Sequence, residues 1–372
     1  MKLSKQSRFE QRKFPNTLVI AEAGVNHNGD IKLAFQLIDA AKEAGADIVK
    51  FQTSNPETSV SRNAPRADYQ VKSTGEKTSQ LEMLKGLSLD KVAHESIYSY
   101  CRKKQIEFLS TPFFVEGVNL LVNQLGIKRL KISSGEIVNG PLLLKASQTG
   151  VPIILSTGMC TLDEIKEALG VIAFGYTKLN EQPSLSAFST AFQSDNGQMA
   201  LRQKATLLHC TTEYPAPYEE MNLRAMDTLK NVFGLPVGFS DHSRGVEMAI
   251  AAVARGACVI EKHLTLDRNL PGPDHQASLE PGELKTMISA IRNVEKGLGD
   301  GEKMPTNSEL ENRQVVRKSL VAACPINKGD VFTTKNLAIK RPGNGMSPME
   351  YWDLLGKISE NSFLTDEVIV QR

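Results

Sequence analysis

The stretch Leu235-Pro-Val-Gly-Phe-Ser-Asp-His242, then Val246-Glu-Met-Ala-Ile-Ala-Ala-Val-Ala254, then Ala257-Cys-Val-Ile-Glu-Lys-His263, decides the fold class. Its outer parts are short apolar runs that read as buried parallel strands, and the middle reads as an apolar helix. Strand, helix and strand of this length make one βαβ unit. Each strand closes on an acid and a histidine, and His242 and His263 lie 21 residues apart. The carboxyl ends of adjacent parallel strands face one crevice, where barrel and doubly wound enzymes keep their chemistry. Side chains alternate along a strand, so Glu261 and His263 share a face and Lys262 takes the other. A single histidine here is most simply a core residue with a backbone partner. Two of them, each beside a carboxylate at a strand end, point to a metal site.

Outward from this unit the same pattern repeats. Apolar runs at Thr17 to Ala21, Asp47 to Gln52, Glu107 to Thr111, Arg129 to Ser133, Pro152 to Thr157 and Thr206 to Cys210 precede those at Pro236 to Ser240 and Cys258 to His263. Amphipathic stretches fall between them, for example Ile31 to Ala44, Asp90 to Lys104 and Leu162 to Ile172, the last opened by the capping box Thr161-x-x-Glu164. Eight such units are what a (β/α)8 barrel needs, with a doubly wound sheet as the alternative.

The expected divisions are a tail over 1–16, a catalytic barrel over 17–298, a polar linker over 299–312 and a small domain over 313–372. The small domain carries strand-like runs at Ser319 to Ala323, Val331-Phe332, Leu337 to Lys340 and Val368 to Gln371, and a helix opened by Ser347-Pro348-Met-Glu350. The insertion Ser54 to Leu89 follows the second strand and so lies on the carboxyl-end face, able to cover a site. The insertion Tyr176 to Lys204 precedes the sixth strand and is expected to be structural or dispensable on the opposite face.

Net charge of +2 with 23% charged residues gives no field that would draw nucleic acid or an anionic membrane, so small molecules are the expected partners. The basic stretch Lys2 to Lys13 lacks the apolar core of a signal peptide, and no apolar run approaches a membrane span. Five scattered cysteines without CxxC spacing suit a reducing cytoplasm.

The other strand ends are polar as well: Glu22 on the first, Lys50 and Gln52 on the second, Ser110 and Thr111 on the third. Lys131, Ser133, Ser134 and Glu136 surround the fourth, and Ser156 and Thr157 end the fifth. Buried polar atoms need partners, and converging lysines and hydroxyls suggest an anion, most simply a phosphate or carboxylate. Gly135 and Gly158 are placed to let backbone amides approach it. Two histidines with nearby carboxylates leave positions open for water and substrate, which favours Mn2+, Mg2+ or Co2+ over structural zinc. Such an ion would polarise a carbonyl and orient water, with Glu261 and Asp274 placed to hold that water. His275 is a weaker ligand candidate.

In order along the chain stand Ile20-Ala-Glu-Ala-Gly-Val-Asn-His-Asn-Gly29, Val49-Lys-Phe-Gln-Thr53, Ser110-Thr-Pro-Phe113 and Lys131-Ile-Ser-Ser-Gly-Glu136. They are followed by Leu155-Ser-Thr-Gly-Met159, Leu208-His-Cys-Thr-Thr-Glu-Tyr-Pro215, Ser240-Asp-His242, Glu261-Lys-His263, Gly272-Pro-Asp-His275 and Lys340-Arg-Pro-Gly-Asn-Gly345. With these strings the chain resembles the sialic acid synthases, the phosphoenolpyruvate-dependent nonulosonate synthase family, from Thr17 to Arg372. The resemblance implies a TIM barrel followed by an antifreeze-like (SAF) domain, in a domain-swapped homodimer whose small domains cover the partner's barrel mouth. It implies Mn2+ on His242 and His263, with Glu261 and Asp274 holding its water. Phosphoenolpyruvate would meet Lys50, Thr111, Lys131, Ser134, Ser156 and Ser240. The amino sugar would meet Glu22, Gln52, Tyr214, Asp274 and, from the other subunit, Arg341, with Glu136 at the reacting carbons. Thr212 stands where some sialic acid synthases have asparagine, which weakens a carboxylate contact there. The segment Asn63 to Gln70 with Ser79 to Met83 is similar to sialic and legionaminic acid synthases alike.

The activity expected is therefore condensation of phosphoenolpyruvate with N-acetylmannosamine to give N-acetylneuraminate and phosphate. The alternative is a legionaminic acid synthase using 2,4-diacetamido-2,4,6-trideoxymannose. A metal-dependent aldolase using free pyruvate and a non-enzymatic sugar-binding module are the rivals from other classes.

Overall fold

The computed structural model describes residues 16–67, 70–71, 79–177 and 181–370. All of the expected tail over 1–16 except Asn16, and parts of the two insertions, lie outside these residues. Two compact units divide between Gly299 and Asp300.

The first unit is built on eight strands: β1 (Leu18–Gly24), β2 (Ile48–Thr53), β3 (Glu107–Pro112), β4 (Leu130–Ile132), β5 (Ile153–Ser156), β6 (Ala205–His209), β7 (Val237–Asp241) and β8 (Val259–His263). Their order is β3-β2-β1-β8-β7-β6-β5-β4, every ladder parallel. The order is cyclic in sequence and β3 packs beside β4, so the sheet is a nearly closed barrel. A doubly wound sheet reverses its strand order at a switch point, and no reversal occurs here.

Two apolar layers explain the barrel. Ile20, Ile48, Leu109, Ile154, Leu208 and Val259 pack together inside it. The alternate positions, such as Val19, Val49, Phe51, Phe108, Phe239 and Ile260, pack outward with Leu37, Ile38, Ile97, Leu169 and Leu284 of the surrounding helices. Both faces are buried, so the strands read as continuous apolar runs. Gly238 belongs to the inner layer because a Cβ there would lie 2.5 Å from the Val259 carbonyl oxygen. Two residues further along most strands the inward positions turn polar: Glu22, Lys50, Thr111, Ser156, Ser240 and Glu261. That step separates the apolar floor from the site.

The helices start where their sequence signals lie. Asp30 caps Ile31–Ala44, Asp90 caps Lys91–Lys104, and Thr161 with Glu164 forms the expected box before Leu162–Thr177. Of the Ser54 to Leu89 insertion, the described part reaches the loop after β1: a Cβ on Gly29 would lie 2.7 Å from the Gly86 carbonyl oxygen. The Tyr176 to Lys204 insertion forms helices Leu185–Gln193 and Asp195–Lys204, and Ala187, Ala191 and Leu201 are buried among the outer apolar layer. Apolar burial of this kind makes the segment structural rather than dispensable.

The second unit holds the antiparallel pair β9 (Ser319–Ala322) and β10 (Leu337–Lys340) over a core of Leu320, Ala322, Ile326, Phe332, Leu337, Leu354, Phe363 and Ile369. Val331 and Val368 make isolated bridges, and Ser347 with Glu350 forms the expected capping box. The stretch read as a polar linker over 299–312 runs into a helix, Asn307–Val316, opened by a capping box of Thr306 and Glu309. The sequence reading missed it because this helix has no buried residue, and hence no apolar stripe.

Candidate active site

The inward polar residues of β1, β2, β3, β4, β5, β7 and β8 converge on one buried cluster. Lys50 Nζ lies 2.8 Å from Glu22 Oε2, 3.3 Å from Thr111 Oγ1 and 3.6 Å from Glu261 Oε2. Lys131 Nζ donates to Ser156 Oγ at 2.7 Å and lies 3.5 Å from Glu261 Oε1. Ser240 Oγ donates to the same Glu261 oxygen at 2.8 Å. All of these side chains are buried.

The charges do not balance in the ordinary way. Burial works to raise Glu261, but Lys131 and Lys50 outweigh it and hold the carboxyl down to about 2. Burial wins at Glu22, with Glu261 adding to it against Lys50, and that carboxyl rises to about 7. Burial works to lower Lys50, yet Glu22 and Glu261 leave it raised; Lys131 is lowered by burial. Two lysines thus face one firmly ionised carboxylate and one that is half protonated near neutrality. The cluster is short of negative charge, and an anionic ligand is what would complete it.

His242 and His263 stand beside this cluster with ring centroids 5.6 Å apart. Both are buried, and burial first of all holds them neutral: His242 falls to about 4 and His263 well below its ordinary value. His242 Nδ1 donates to the Thr211 carbonyl at 2.6 Å, which leaves the lone pair on Nε2, 3.2 Å from Ser240 Oγ. The Ser240 hydroxyl proton goes to Glu261, so that lone pair is free. His263 Nδ1 has no hydrogen-bond partner, and Asp274 Oδ2 lies 3.8 Å away. Two neutral imidazoles with free lone pairs fit a divalent cation. Among the described residues no group of three or more ligand-type side chains assembles, so water or substrate would fill the remaining positions.

Tyr214 packs against both rings, tilted over His242 at 4.2 Å and edge-on to His263 at 5.5 Å between centroids. Asp274 is buried, and burial raises its carboxyl to about 6. Gln52 shares the inward face of β2 with Lys50 and pairs in register with Thr111. Ser134 Oγ lies 3.3 Å from Thr212 Oγ1 at the rim. Glu136 is half-buried and accepts from Asn139 Nδ2 at 2.7 Å; burial raises its carboxyl. Arg341 belongs to the second unit, where it is exposed and donates from Nε to the Val316 carbonyl at 3.0 Å.

Three readings change. His275 is fully buried, with Thr265 Oγ1 at 2.7 Å from Nδ1 and Asn28 Oδ1 at 3.3 Å from Nε2. Both of its nitrogens are engaged, so it is a structural histidine. Gly158 serves packing: a Cβ there would lie 2.3 Å from Thr212 Oγ1 and 2.9 Å from Cys210 Sγ. The sequence reading also missed the partner of Lys262. A lysine on the helix-facing side of an apolar strand was the available signal, and Asp241, its neighbour across β7 and β8, is the answer at 2.9 Å.

The chain matches the NeuB family over residues 37–303 and the SAF domain over residues 317–371. It is 51% identical over 353 residues to the N,N'-diacetyllegionaminic acid synthase of Campylobacter jejuni, covering 95% of this chain and 98% of that protein. It is 44% identical over 338 residues to the N,N'-diacetyllegionaminic acid synthase of Legionella pneumophila, covering 91% and 89%. Among solved structures it superposes on the N-acetylneuraminic acid (sialic acid) synthetase of Leptospira borgpetersenii with a TM-score of 0.64 and 34% identity, over 80% of this chain and 90% of that one.

Proposed function

The chain belongs to the NeuB family, and on that premise we propose that it is a phosphoenolpyruvate-dependent legionaminic acid synthase. Its reaction condenses phosphoenolpyruvate with 2,4-diacetamido-2,4,6-trideoxymannose and water, giving N,N'-diacetyllegionaminate and phosphate. The observation that carries the sugar is full-length identity of 51% and 44% to N,N'-diacetyllegionaminic acid synthases. The expectation of an N-acetylneuraminate synthase acting on N-acetylmannosamine is corrected by the same finding, since the sialic acid synthetase is only 34% identical. The motifs behind that expectation serve the phosphoenolpyruvate chemistry common to both sugars, so they carry no choice between them.

The buried lysines suit phosphoenolpyruvate. Lys50 and Lys131 supply cationic donors, and Thr111, Ser134, Ser156 and Ser240 supply hydroxyls for its phosphate and carboxylate. Binding it makes up the missing negative charge of the cluster. Glu22, poised near 7, can hold or release a proton beside Lys50 as carbon three bonds to the aldehyde carbon and water adds at carbon two. The enol carbon–oxygen bond then breaks and phosphate leaves. Gln52, Tyr214 and Asp274 would orient the sugar, with Glu136 at the reacting carbons. A divalent cation, Mn2+ above Mg2+ or Co2+, held by His242 and His263, would polarise the sugar aldehyde and orient water held by Glu261 and Asp274.

The assembly belongs to the same proposal: a homodimer in which Arg341 of one copy reaches the barrel mouth of the other. So does a cytoplasmic setting, in keeping with five unpaired cysteines. Among the described residues no helix is long and apolar enough to cross a membrane.

The deciding experiment is phosphate release from phosphoenolpyruvate with each sugar in turn. The trideoxy sugar should give a kcat/KM at least about tenfold above N-acetylmannosamine, a preference that one or two pocket contacts supply. Equal or reversed efficiencies refute the legionaminate reading, and sugar consumed with free pyruvate while phosphoenolpyruvate releases no phosphate refutes the family activity.

A further inference from the structure

Lys262 and Asp241 form an ion pair, 2.9 Å from Nζ to Oδ2, with both side chains at 0% exposure. They lie on the outer face of the barrel, opposite His242, His263, Ser240 and Glu261, because side chains alternate along β7 and β8. Neither touches the cluster of Lys50 and Lys131, so the chemistry proposed above makes no use of them. A buried ion pair is also a poor source of stability, since apolar residues of similar volume commonly serve as well or better. Its function must be sought in what it holds.

It holds the two strand ends that carry the imidazoles. The β7–β8 ladder pairs Ser240 with Glu261 and ends at Asp241 with Lys262, one residue short of each histidine. From there Lys262 Nζ reaches past the ladder to the Ser243 carbonyl at 2.6 Å. Ser243 returns its backbone amide and hydroxyl to Asp241 Oδ1 at 2.9 and 2.6 Å. His242 is thereby bracketed, its chain fixed immediately before and immediately after. The His263 ring has no hydrogen bond at Nδ1 to orient it, so its place depends on backbone anchors. Three anchors hold that backbone: β1, whose Glu22 pairs in register with His263, the Leu279 amide bonded to the His263 carbonyl at 2.9 Å, and Lys262 on the β7 side.

We infer that Asp241, Lys262 and Ser243 are positioning residues: a buried clamp on the outer barrel face that sets the separation of the His242 and His263 rings. The inference deepens the proposed placement of a divalent cation on those rings and rests on it for the binding readout. Outer partners that fix the ligands of a metal commonly change affinity by about 10- to 100-fold when removed.

The test replaces the pair by apolar residues of similar outline, Asp241→Leu with Lys262→Met, which leaves no buried charge unpaired. The double variant should melt below the wild-type temperature, since the buried Ser243 amide, hydroxyl and carbonyl lose their partners, and keep the wild-type KM for phosphoenolpyruvate, because Lys50 and Lys131 are untouched. Its Kd for Mn2+, read as free ion by electron paramagnetic resonance, should rise about tenfold or more. Wild-type affinity in a folded double variant overturns the clamp. If the double variant does not fold, Asp241→Asn is measured in its place, with the same two outcomes for Mn2+. Wild-type chain and His263→Ala serve as controls that judge the cation site itself. A crystal structure of the double variant, or of Asp241→Asn in its place, reads the clamp even if that site fails: rings still 5.6 Å apart overturn it, and displaced rings support it.

Discussion

Lys50 Nζ sits 2.8 Å from Glu22 Oε2, and both side chains are buried. Burial and the neighbouring Glu261 lift Glu22 to about 7 although a lysine touches it. A group that titrates there can act as a base at neutral pH. Phosphate release should therefore fall as pH drops through about 7, when Glu22 takes up its proton. In Glu22→Gln the remaining rate should lack that inflection, and a pH profile unchanged in shape would remove Glu22 from the proton path.

Lys131 tests the anion reading. Lys131→Met keeps the stem and removes the ammonium that bonds Ser156 at 2.7 Å. A hydrogen bond to a charged group is worth about 1.5–3 kcal/mol, so KM for phosphoenolpyruvate should rise on the order of tenfold to a hundredfold. Steady-state kinetics decide it. A KM for the sugar that rises while that for phosphoenolpyruvate stays put would reverse the assignment.

On the proposed placement of a divalent cation at the free lone pairs of His242 and His263, chelation should abolish activity and Mn2+ restore it. His263→Ala should lose both Mn2+ binding and turnover. Equal metal content in that variant, measured after dialysis, would sink the assignment.

All six histidines are held below their ordinary value, with burial the first cause at each. His27 shows the consequence away from His242 and His263. Burial, then His94, lowers it to about 4, and its Nδ1 accepts from the Gly29 amide at 3.0 Å. The unfolded chain takes a proton on this ring below about pH 6.5 while the folded one refuses it until about 4. Stability is full above 6.5 and is lost as pH falls across that window, by on the order of 3 kcal/mol from this residue. His27→Gln should flatten that loss in thermal melts between about pH 7.5 and pH 5. An equally steep decline in the variant would show that His27 does not carry it.

Arg341 tests the shared site. Arg341→Ala and His263→Ala chains, each inactive, should complement when subunits exchange, since one intact barrel meets one intact small domain in each heterodimer. No recovery in a mixture shown to contain heterodimers would mean that Arg341 serves its own barrel or none.

By itself the sequence determined the barrel, because the signal is local and repeated. Runs such as Ala257-Cys-Val-Ile260 are apolar on both faces, as strands covered inside and out must be, and capping residues such as Asp30 and Thr161 mark where helices start. It also determined which residues share the inner face of the barrel, since alternation fixes the face once a strand is placed. Helix Asn307–Val316 escaped for the converse reason: with nothing buried, it has no apolar period to read.

The tertiary structure alone decided the pairings. Glu22 and Glu261 are both acids ending inner strands, and only the placement of Lys50 and Lys131 makes one ionise at about 2 and the other near 7. His263 and His275 look alike in sequence, yet one keeps a free nitrogen and the other has both engaged. Lys262 reads as a lone lysine until β7 lies beside β8 and Asp241 meets it. Charge and hydrogen-bond energies depend on separation and solvent exclusion between residues distant in the chain, and those quantities exist only once the barrel closes.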